Sequence, residues 1–131
     1  MGNTIEVEIT VTEGKGTLRE ADFSYNPSTF ICTRGDVIKW KCKQGPFALH
    51  FGERPLLGKI VIRSQVAARC HETAPLTVGF RGDAASGTEI EPGVIQQGMH
   101  KYSVAVQLEQ PVGGLSPGVY IDACPSGGYE C

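Results

Sequence analysis

His50 is the residue of this sequence whose type and position most directly suggest chemistry. It lies near the end of GDVIKWKCKQGPFALHF, residues 35–51, where a Gly-Asp turn leads into an alternating strand and then a short loop. An imidazole that a loop delivers between apolar neighbours is a candidate metal ligand, because neutral imidazole is the commonest metal-binding side chain. The alternative is that His50 packs the loop and binds nothing.

Five cysteines offer further metal-binding or redox chemistry. Their number is odd and no two have the Cys-x-x-Cys spacing; they are Cys32, Cys42, Cys70, Cys124 and Cys131. The chain begins MGNTIEVEIT, which lacks the basic and the apolar segment of a signal peptide. This start favours a cytoplasmic protein with reduced thiols. The alternative is a mature secreted form with one or two disulfides, and its pairing stays open.

The triplet Cys70-His71-Glu72 places a thiol beside a base. Adjacent residues of a strand project to opposite faces, so this spacing suits neither proton transfer nor nucleophilic catalysis. As a zinc site the triplet would need a second ligand pair with short spacing, which the sequence does not supply. The sequence also lacks the nucleophile-elbow, phosphate-loop, dinucleotide and zinc-protease motifs. It therefore predicts no enzyme and no cofactor.

Charge and length narrow the range of partners. The 131 residues carry a formal net charge of −2 with a pI near 5.9, which gives no basic surplus for nucleic acid or anionic lipid. No apolar run approaches the roughly 20 residues that span a bilayer. We therefore expect one domain over residues 1–131 that binds neither nucleic acid nor membranes.

The elements that must position these side chains are short strands. Residues 4–12 alternate strictly, and further strand patterns follow at 37–42, 47–51, 76–80, 100–110 and 119–124. Gly- and Pro-containing turns separate them, and the final PSGGYEC is expected to be a polar tail. About seven to nine such strands predict an all-β antiparallel sandwich or barrel.

The order of several short motifs can be compared with that of known protein families. These motifs lie in FSYNPSTFICTRGDVIKWKC, then in GPFALHF and later in GMHKYSVAV. An aromatic before Asn-Pro, a Gly-Asp turn, a tryptophan strand and a loop histidine recur in this order in one family; here they are Phe23, Asn26, Pro27, Gly35, Asp36, Val37, Trp40, His50 and Phe51. The chain resembles a cupredoxin over residues 20–51 and 92–108. This resemblance implies a cupredoxin-like Greek-key β-sandwich with Trp40 in its core.

The resemblance also implies where copper ligands should lie. A type 1 copper site combines two imidazoles, a thiolate and a weak thioether, and the resemblance assigns the first imidazole to His50. Laying the family's second motif on GMHKYSV puts Val104 in the thiolate position, and no histidine or methionine follows it. The resemblance therefore implies a degenerate copper site. Residues that could complete a non-standard site are Cys124, His100 and Met99, with the last two expected near the wrong end of the strand.

We therefore expect a non-catalytic binding or structural module that recognises an unknown protein or small ligand through its end loops, including 43–57 and 81–100. The alternative function is a small copper-binding or electron-transfer protein that uses His50 with non-standard ligands. Homo-oligomerisation through sheet edges is a further possibility for the module. The segment LLGKIVIR, residues 56–63, is expected to be an edge strand guarded by Lys59 and Arg63.

Overall fold

The computed structural model describes residues 2–14, 20–50, 61–66, 70–73, 75–78, 94–95, 99–122 and 127–130. These residues are all-β and form two mixed sheets, consistent with a β-sandwich. The part of the chain described here has no helix long and apolar enough to cross a membrane. Its strands are β1 (Thr4–Glu13), β2 (Ala21–Asn26), β3 (Thr29–Ile31), β4 (Val37–Cys42), β5 (Phe47–His50), β6 (Val61–Arg63), β7 (Gln65–Val66), β8 (His71–Glu72), β9 (Leu76–Val78), β10 (Val94–Ile95), β11 (Met99–Leu108), β12 (Gly118–Ile121) and β13 (Gly127–Glu130).

The first sheet has the order β10-β9-β4-β1-β2, with β8 also pairing β4 and β7 pairing β8. Its central strand β1 pairs antiparallel with β2 and parallel with β4. Alternation along β1 sends Val7, Ile9 and Val11 into the core and Glu6 and Glu8 towards solvent. Lys41 and Lys43 of the neighbouring chain segment pair with these carboxylates, so the outer face of this sheet is charged.

The second sheet has the order β3-β13-β11-β5-β6, and β12 also pairs β11. The long strand β11 is antiparallel to β5 on one side and to both β12 and β13 on the other. β12 and β13 thus follow each other along one side of β11. The edge strand β3 lies parallel to β13.

Alternate residues of both sheets meet in one hydrophobic cluster. Trp40 lies at its centre with no exposed surface, and its ring meets that of Tyr102 edge to face at 5.4 Å between centroids. Burying aromatic surface of this size gives such a ring a large share of the core's stabilisation. The expectation that Trp40 is a core residue is confirmed.

The Gly35-Asp36 turn sets the entry into β4. Gly35 has φ of 91°, a left-handed conformation that glycine adopts without steric cost. One carboxylate oxygen of Asp36 accepts a hydrogen bond from the Asn3 amide, and the other accepts one from Thr33, each at 2.9 Å. These amides hold the pKa of the Asp36 carboxyl below its usual value, because they favour the charged form.

Most strand predictions are confirmed, with two differences. The described residues alone contain thirteen strand segments rather than seven to nine, because short pieces such as β12 and β13 share one neighbour. The C-terminal PSGGYEC is not merely a polar tail, since Gly127–Glu130 pairs with two strands.

Cys32 is disulfide-bonded, which contradicts the expectation of reduced thiols, whereas Cys42 and Cys70 are free.

Candidate functional site

His50 ends β5 and projects away from the core. It is exposed, whereas its neighbour Leu49 has no exposed surface, as alternation along a strand requires. Its pairing partners are Ser103 on β11 and Val61 on β6. Val104, the residue in the implied thiolate position, pairs with Leu49 and is buried in the core. His50 and Val104 therefore lie on opposite faces of the second sheet.

Met99 and His100 begin β11, where they pair with Glu130 and Tyr129. His100 is three positions from Ser103, the partner of His50, a separation of about 10 Å along the strand. The register thus brings the start of β11 near the end of β5, with Met99 on the same face as His50 and His100 on the opposite face. The expectation that both residues lie near the wrong end of the strand stays a prediction.

The remaining candidate ligand, Cys124, lies outside the described residues. Within the described ranges, no group of three or more histidine, cysteine, aspartate or glutamate side chains is arranged to hold a metal ion. The structure thus places the backbones of His50 and His100 at one end of the second sheet without assembling a ligand set from the residues it describes.

A shallow hollow of about 390 Å³ lies where the turn after β4 meets the segment after β11. Its lining combines an ammonium, a carboxylate, two amides and an apolar side chain, from Lys43, Gln44, Glu109, Gln110 and Val112. Of the predicted end loops, 43–57 contributes Lys43 and Gln44, while residues 51–57 and most of 81–100 lie outside the described residues. The sequence analysis missed the segment after β11, although PVGGLSPG marked it as a turn.

The Gln44 side chain holds this part of the chain in place. Its amide oxygen accepts a hydrogen bond from the Val11 amide at 2.7 Å, and its amide nitrogen donates to the Val11 carbonyl at 2.8 Å. The register of β4 against β1 ends with Cys42 beside Ile9. Gln44 therefore imitates one more backbone pair at the point where β4 turns away. The Glu109 amide also donates to the Gln44 carbonyl at 3.2 Å, which joins the two segments of the hollow.

Polar and charged contacts surround the hollow. The His71 ring reaches Glu109 at 3.1 Å from Nε2 to Oε1, and Lys43 reaches Glu8 at 3.6 Å from Nζ to Oε2. The Glu13 carboxylate accepts a hydrogen bond from the Gly114 amide at 3.1 Å. A Cβ on Gly114 would collide with this carboxylate, so glycine permits the close approach. These contacts tie the segment after β11 to strands of the first sheet.

The triplet Cys70-His71-Glu72 does not form a nucleophile–base pair. His71 engages Glu109, whereas Glu72 forms an ion pair with Lys39 at 3.0 Å. The other free thiol, Cys42, is fully buried, and desolvation raises its pKa. A protonated thiol in the core is a poor nucleophile and a poor metal ligand at neutral pH. Both arrangements are those of structural residues.

A buried pair at the other side of the core joins the two sheets. The Tyr25 hydroxyl on β2 donates a hydrogen bond to the Asp122 carboxylate at 2.8 Å, and Asp122 directly follows β12. The Tyr25 ring meets Tyr102 edge to face at 5.2 Å. Burial, together with the nearby Asp122 carboxylate, raises the pKa of Tyr25 well above its usual value. Sequence reasoning missed this pair, because the two residues are 97 positions apart.

Comparison of the chain with protein-family models found no matching family, and comparison with curated proteins found no significant match.

Proposed function

We propose that this chain is a non-catalytic, cupredoxin-like binding module that uses the hollow between residues 43–46 and 109–115 to contact a small ligand or a protein segment. The resemblance of its motifs to the cupredoxins supports the fold family and the Greek-key connectivity. The single observation that carries the binding role is the hollow itself, in which Lys43, Glu109 and Gln110 are exposed around the partly buried Val112.

The construction of the hollow supports recognition rather than catalysis. Its backbone is fixed by the paired hydrogen bonds of Gln44 and by the bond between Glu109 and Gln44, so its shape exists before a partner arrives. Preorganisation of this kind lowers the entropic cost of binding. An ammonium, a carboxylate and an amide around an apolar floor can recognise a polar peptide segment by hydrogen bonds and charge.

The binding role can be tested with three capped pentapeptides, Ala-Ala-X-Ala-Ala, in which X is Glu, Lys or Ala. Nuclear magnetic resonance titration should show saturable shifts of backbone amides at 43–46 and 109–115 with at least one peptide. Lys43→Gln or Glu109→Gln should weaken that binding, since each removes a charge from the lining. Lys101→Gln is the control, because Lys101 is an exposed lysine of β11 that does not line the hollow. Absence of localised shifts with all three peptides at millimolar concentration would contradict the proposal.

The alternative function, copper binding, is favoured by one observation. The register places His50 and Met99 at the same end and on the same face of the second sheet, whereas His100 falls on the opposite face. An imidazole with a thioether or thiolate belongs to the ligand types that suit copper. Met99 and Cys124 are the sulfur donors that the sequence offers for such a site. Copper bound there would supply one-electron redox chemistry or a carried ion.

Copper titration separates the two functions. A copper protein should bind one equivalent of copper and show an intense visible thiolate-to-copper band, and both His50→Ala and Met99→Ala should reduce the binding. His71→Ala is the matched control, since His71 is held by Glu109 at the hollow. The binding-module proposal predicts no stoichiometric copper and the same result for all three variants.

The disulfide of Cys32 bears on the compartment. Disulfides persist in oxidising environments and are rare in the cytosol. We therefore favour the second of the sequence-based alternatives, a protein that works in an oxidising compartment, over the cytoplasmic expectation. Labelling of free thiols in protein isolated from its source under acid quench would check this, because a cytosolic protein would carry a reduced Cys32.

A further inference from the structure

We propose that β12, Gly118–Ile121, is a self-association edge through which a second copy of this chain continues the second sheet. This interface is independent of the binding hollow, because none of the residues lining the hollow belongs to β12. Three properties of β12 point to a second copy of the chain as its partner: its open side, its exposed apolar side chains and its lack of charge.

The open side of β12 follows from the pairing of the described strands. β12 pairs with β11 alone among them, over Ala105–Leu108. The Asp122 amide donates to the Val104 carbonyl, which makes these two residues a hydrogen-bonded pair. Hydrogen-bonded and non-hydrogen-bonded pairs alternate in an antiparallel ladder. The backbone N–H and C=O of Tyr120 therefore point towards β11. Those of Val119 and Ile121 point to the open side.

The same two residues are among the most exposed large apolar side chains of the described chain. Val119 is 63% and Ile121 67% exposed, on one face of the strand. Their neighbours on that face are small or polar, since Ile121 pairs with Ala105 and Val119 with Gln107. A partner strand placed beside β12 would cover part of both side chains.

The charge pattern favours a second copy as that partner. Natural edge strands usually carry charges that repel other edges, as Asp22 does in β2 and Arg63 in β6. β12 has the sequence GVYI and carries no charge, so two copies meet without repulsion. A two-fold axis through Tyr120 sets Val119 of each copy against Ile121 of the other. These pairs use the backbone groups that face the open side, and β-branched pairs of this kind stabilise adjoining strands.

The short length of β12 limits the strength of this contact. Four residues per copy bury less area than the roughly 1,200–2,000 Å² of a stable interface, and Pro117 restricts pairing before the strand begins. We therefore expect a concentration-dependent dimer that forms between micromolar and millimolar protein, rather than a permanent one.

Sedimentation equilibrium over that concentration range tests the proposal. Ile121→Lys and Val119→Lys should each weaken dimerisation by at least about tenfold, because each places a charge in the edge next to its own copy. Ile31→Lys is the matched control, since Ile31 is 81% exposed on another uncharged edge strand, β3, and should leave the dimer unchanged. Circular dichroism of each variant checks that it is folded.

A cross-linking variant gives an independent measurement. The proposed axis makes the two Tyr120 residues a non-hydrogen-bonded pair with Cα atoms about 4.5 Å apart, a spacing that a disulfide can bridge. In a Cys70→Ser background, Tyr120→Cys should form a covalent dimer under mild oxidation, whereas Thr29→Cys on β3 should not. A protein that stays monomeric at millimolar concentration overturns the proposal, as does a dimer that Ile31→Lys disrupts and Ile121→Lys does not.

Discussion

At the scale of single residues, the contact between Tyr25 and Asp122 shows how a few polar atoms are accommodated in an apolar core. Both residues are buried, and the tyrosine hydroxyl is the donor that Asp122 accepts at 2.8 Å. A buried carboxylate without donors would cost several kcal/mol, so this hydroxyl stabilises the core by satisfying a group that would otherwise oppose folding. The pair also connects the two sheets.

Tyr25→Phe should lower the free energy of unfolding by about 1–3 kcal/mol, because it keeps the ring and removes a donor from a buried acceptor. Urea unfolding followed by tryptophan fluorescence measures the change through Trp40. The control is Tyr120→Phe, whose hydroxyl donates to the exposed Ser116 carbonyl. That variant should change stability by no more than about 0.5 kcal/mol. Equal losses in the two variants would show that Tyr25 has no special role in the core.

At the scale of secondary-structure elements, a side chain continues the hydrogen bonding between two strands beyond the last residue of one of them. β4 leaves β1 after Cys42, and the Gln44 amide then replaces a backbone pair against Val11. Without Gln44, the buried backbone of Val11 would lose both partners at the point where the first sheet meets the hollow. One side chain therefore fixes the end of a strand and the shape of the candidate site.

Gln44→Ala should lower the free energy of unfolding by about 1–3 kcal/mol, since it removes two hydrogen bonds to one buried residue. Gln110→Ala serves as the control, because Gln110 is an exposed glutamine that lines the same hollow. It should alter stability by less than about 0.5 kcal/mol. Hydrogen exchange gives a second measurement, as the Val11 amide should exchange faster only in the Gln44 variant. An unchanged rate for Val11 would contradict this account of β4.

At the scale of the whole molecule, ionisable groups at opposite ends of the pH range favour the folded state. Lys41 lowers the pKa of the Glu6 carboxyl through a hydrogen bond and its charge, and backbone amides lower that of Asp36. Burial raises the pKa of Tyr102 to about 12 and moves that of Tyr25 in the same direction. The carboxylates stabilise the fold in their charged form, and the tyrosines stabilise it in their neutral form.

Stability should therefore form a plateau between about pH 5 and pH 10 and fall on both sides. The carboxylate contribution is present above the unfolded pKa and is lost as the pH falls through the lower folded values. The tyrosine contribution is present below the unfolded pKa of about 10 and is lost as the pH rises through the higher folded values. Urea midpoints measured across pH check both limbs.

Two variants test which ionisable groups cause the loss of stability at acid and at alkaline pH. Glu6→Gln should make only the acid limb shallower, because Asp36 still contributes there, and Tyr102→Phe should make only the alkaline limb shallower, because Tyr25 still contributes. A Cys42→Ser, Cys70→Ser background removes the two free thiols of the described residues, which would otherwise exchange with the disulfide at high pH. The assignment fails if either substitution changes the opposite limb, or if the profile is flat up to pH 12.

The disulfide of Cys32 is the second stabilising feature at this scale. A native disulfide contributes typically about 2–4 kcal/mol, largely by restricting the unfolded chain. Cys32→Ala should therefore lower the free energy of unfolding by about that amount, and a phosphine reductant should lower that of the wild type equally. Cys70→Ala should retain the response to reductant, because Cys70 is free. A wild-type protein whose stability is the same with and without reductant would contradict the prediction.

Local patterns predicted most of the strands, because alternation along a strand depends only on which residues avoid water. β1, β4, β5 and β11 follow this rule, and so does the burial of Trp40. The same reasoning failed for β13, whose Gly-Gly-Tyr-Glu has no such alternation. Its strand geometry comes from neighbours on both sides, β11 and β3, and no local signal announces them.

What the sequence by itself determined is therefore the all-β character, the core face of each long strand and the Gly-Asp turn before β4. Each of these depends on the physical chemistry of neighbouring residues. The tertiary structure alone decided the parallel pairing of β1 with β4, the contact of Tyr25 with Asp122 and the meeting of Gln44 with Glu109 in the hollow. It also placed His50 near the start of β11 and, among the described strands, paired β12 with β11 alone. These features depend on which distant segments become neighbours, and a periodic pattern carries no information about its partner.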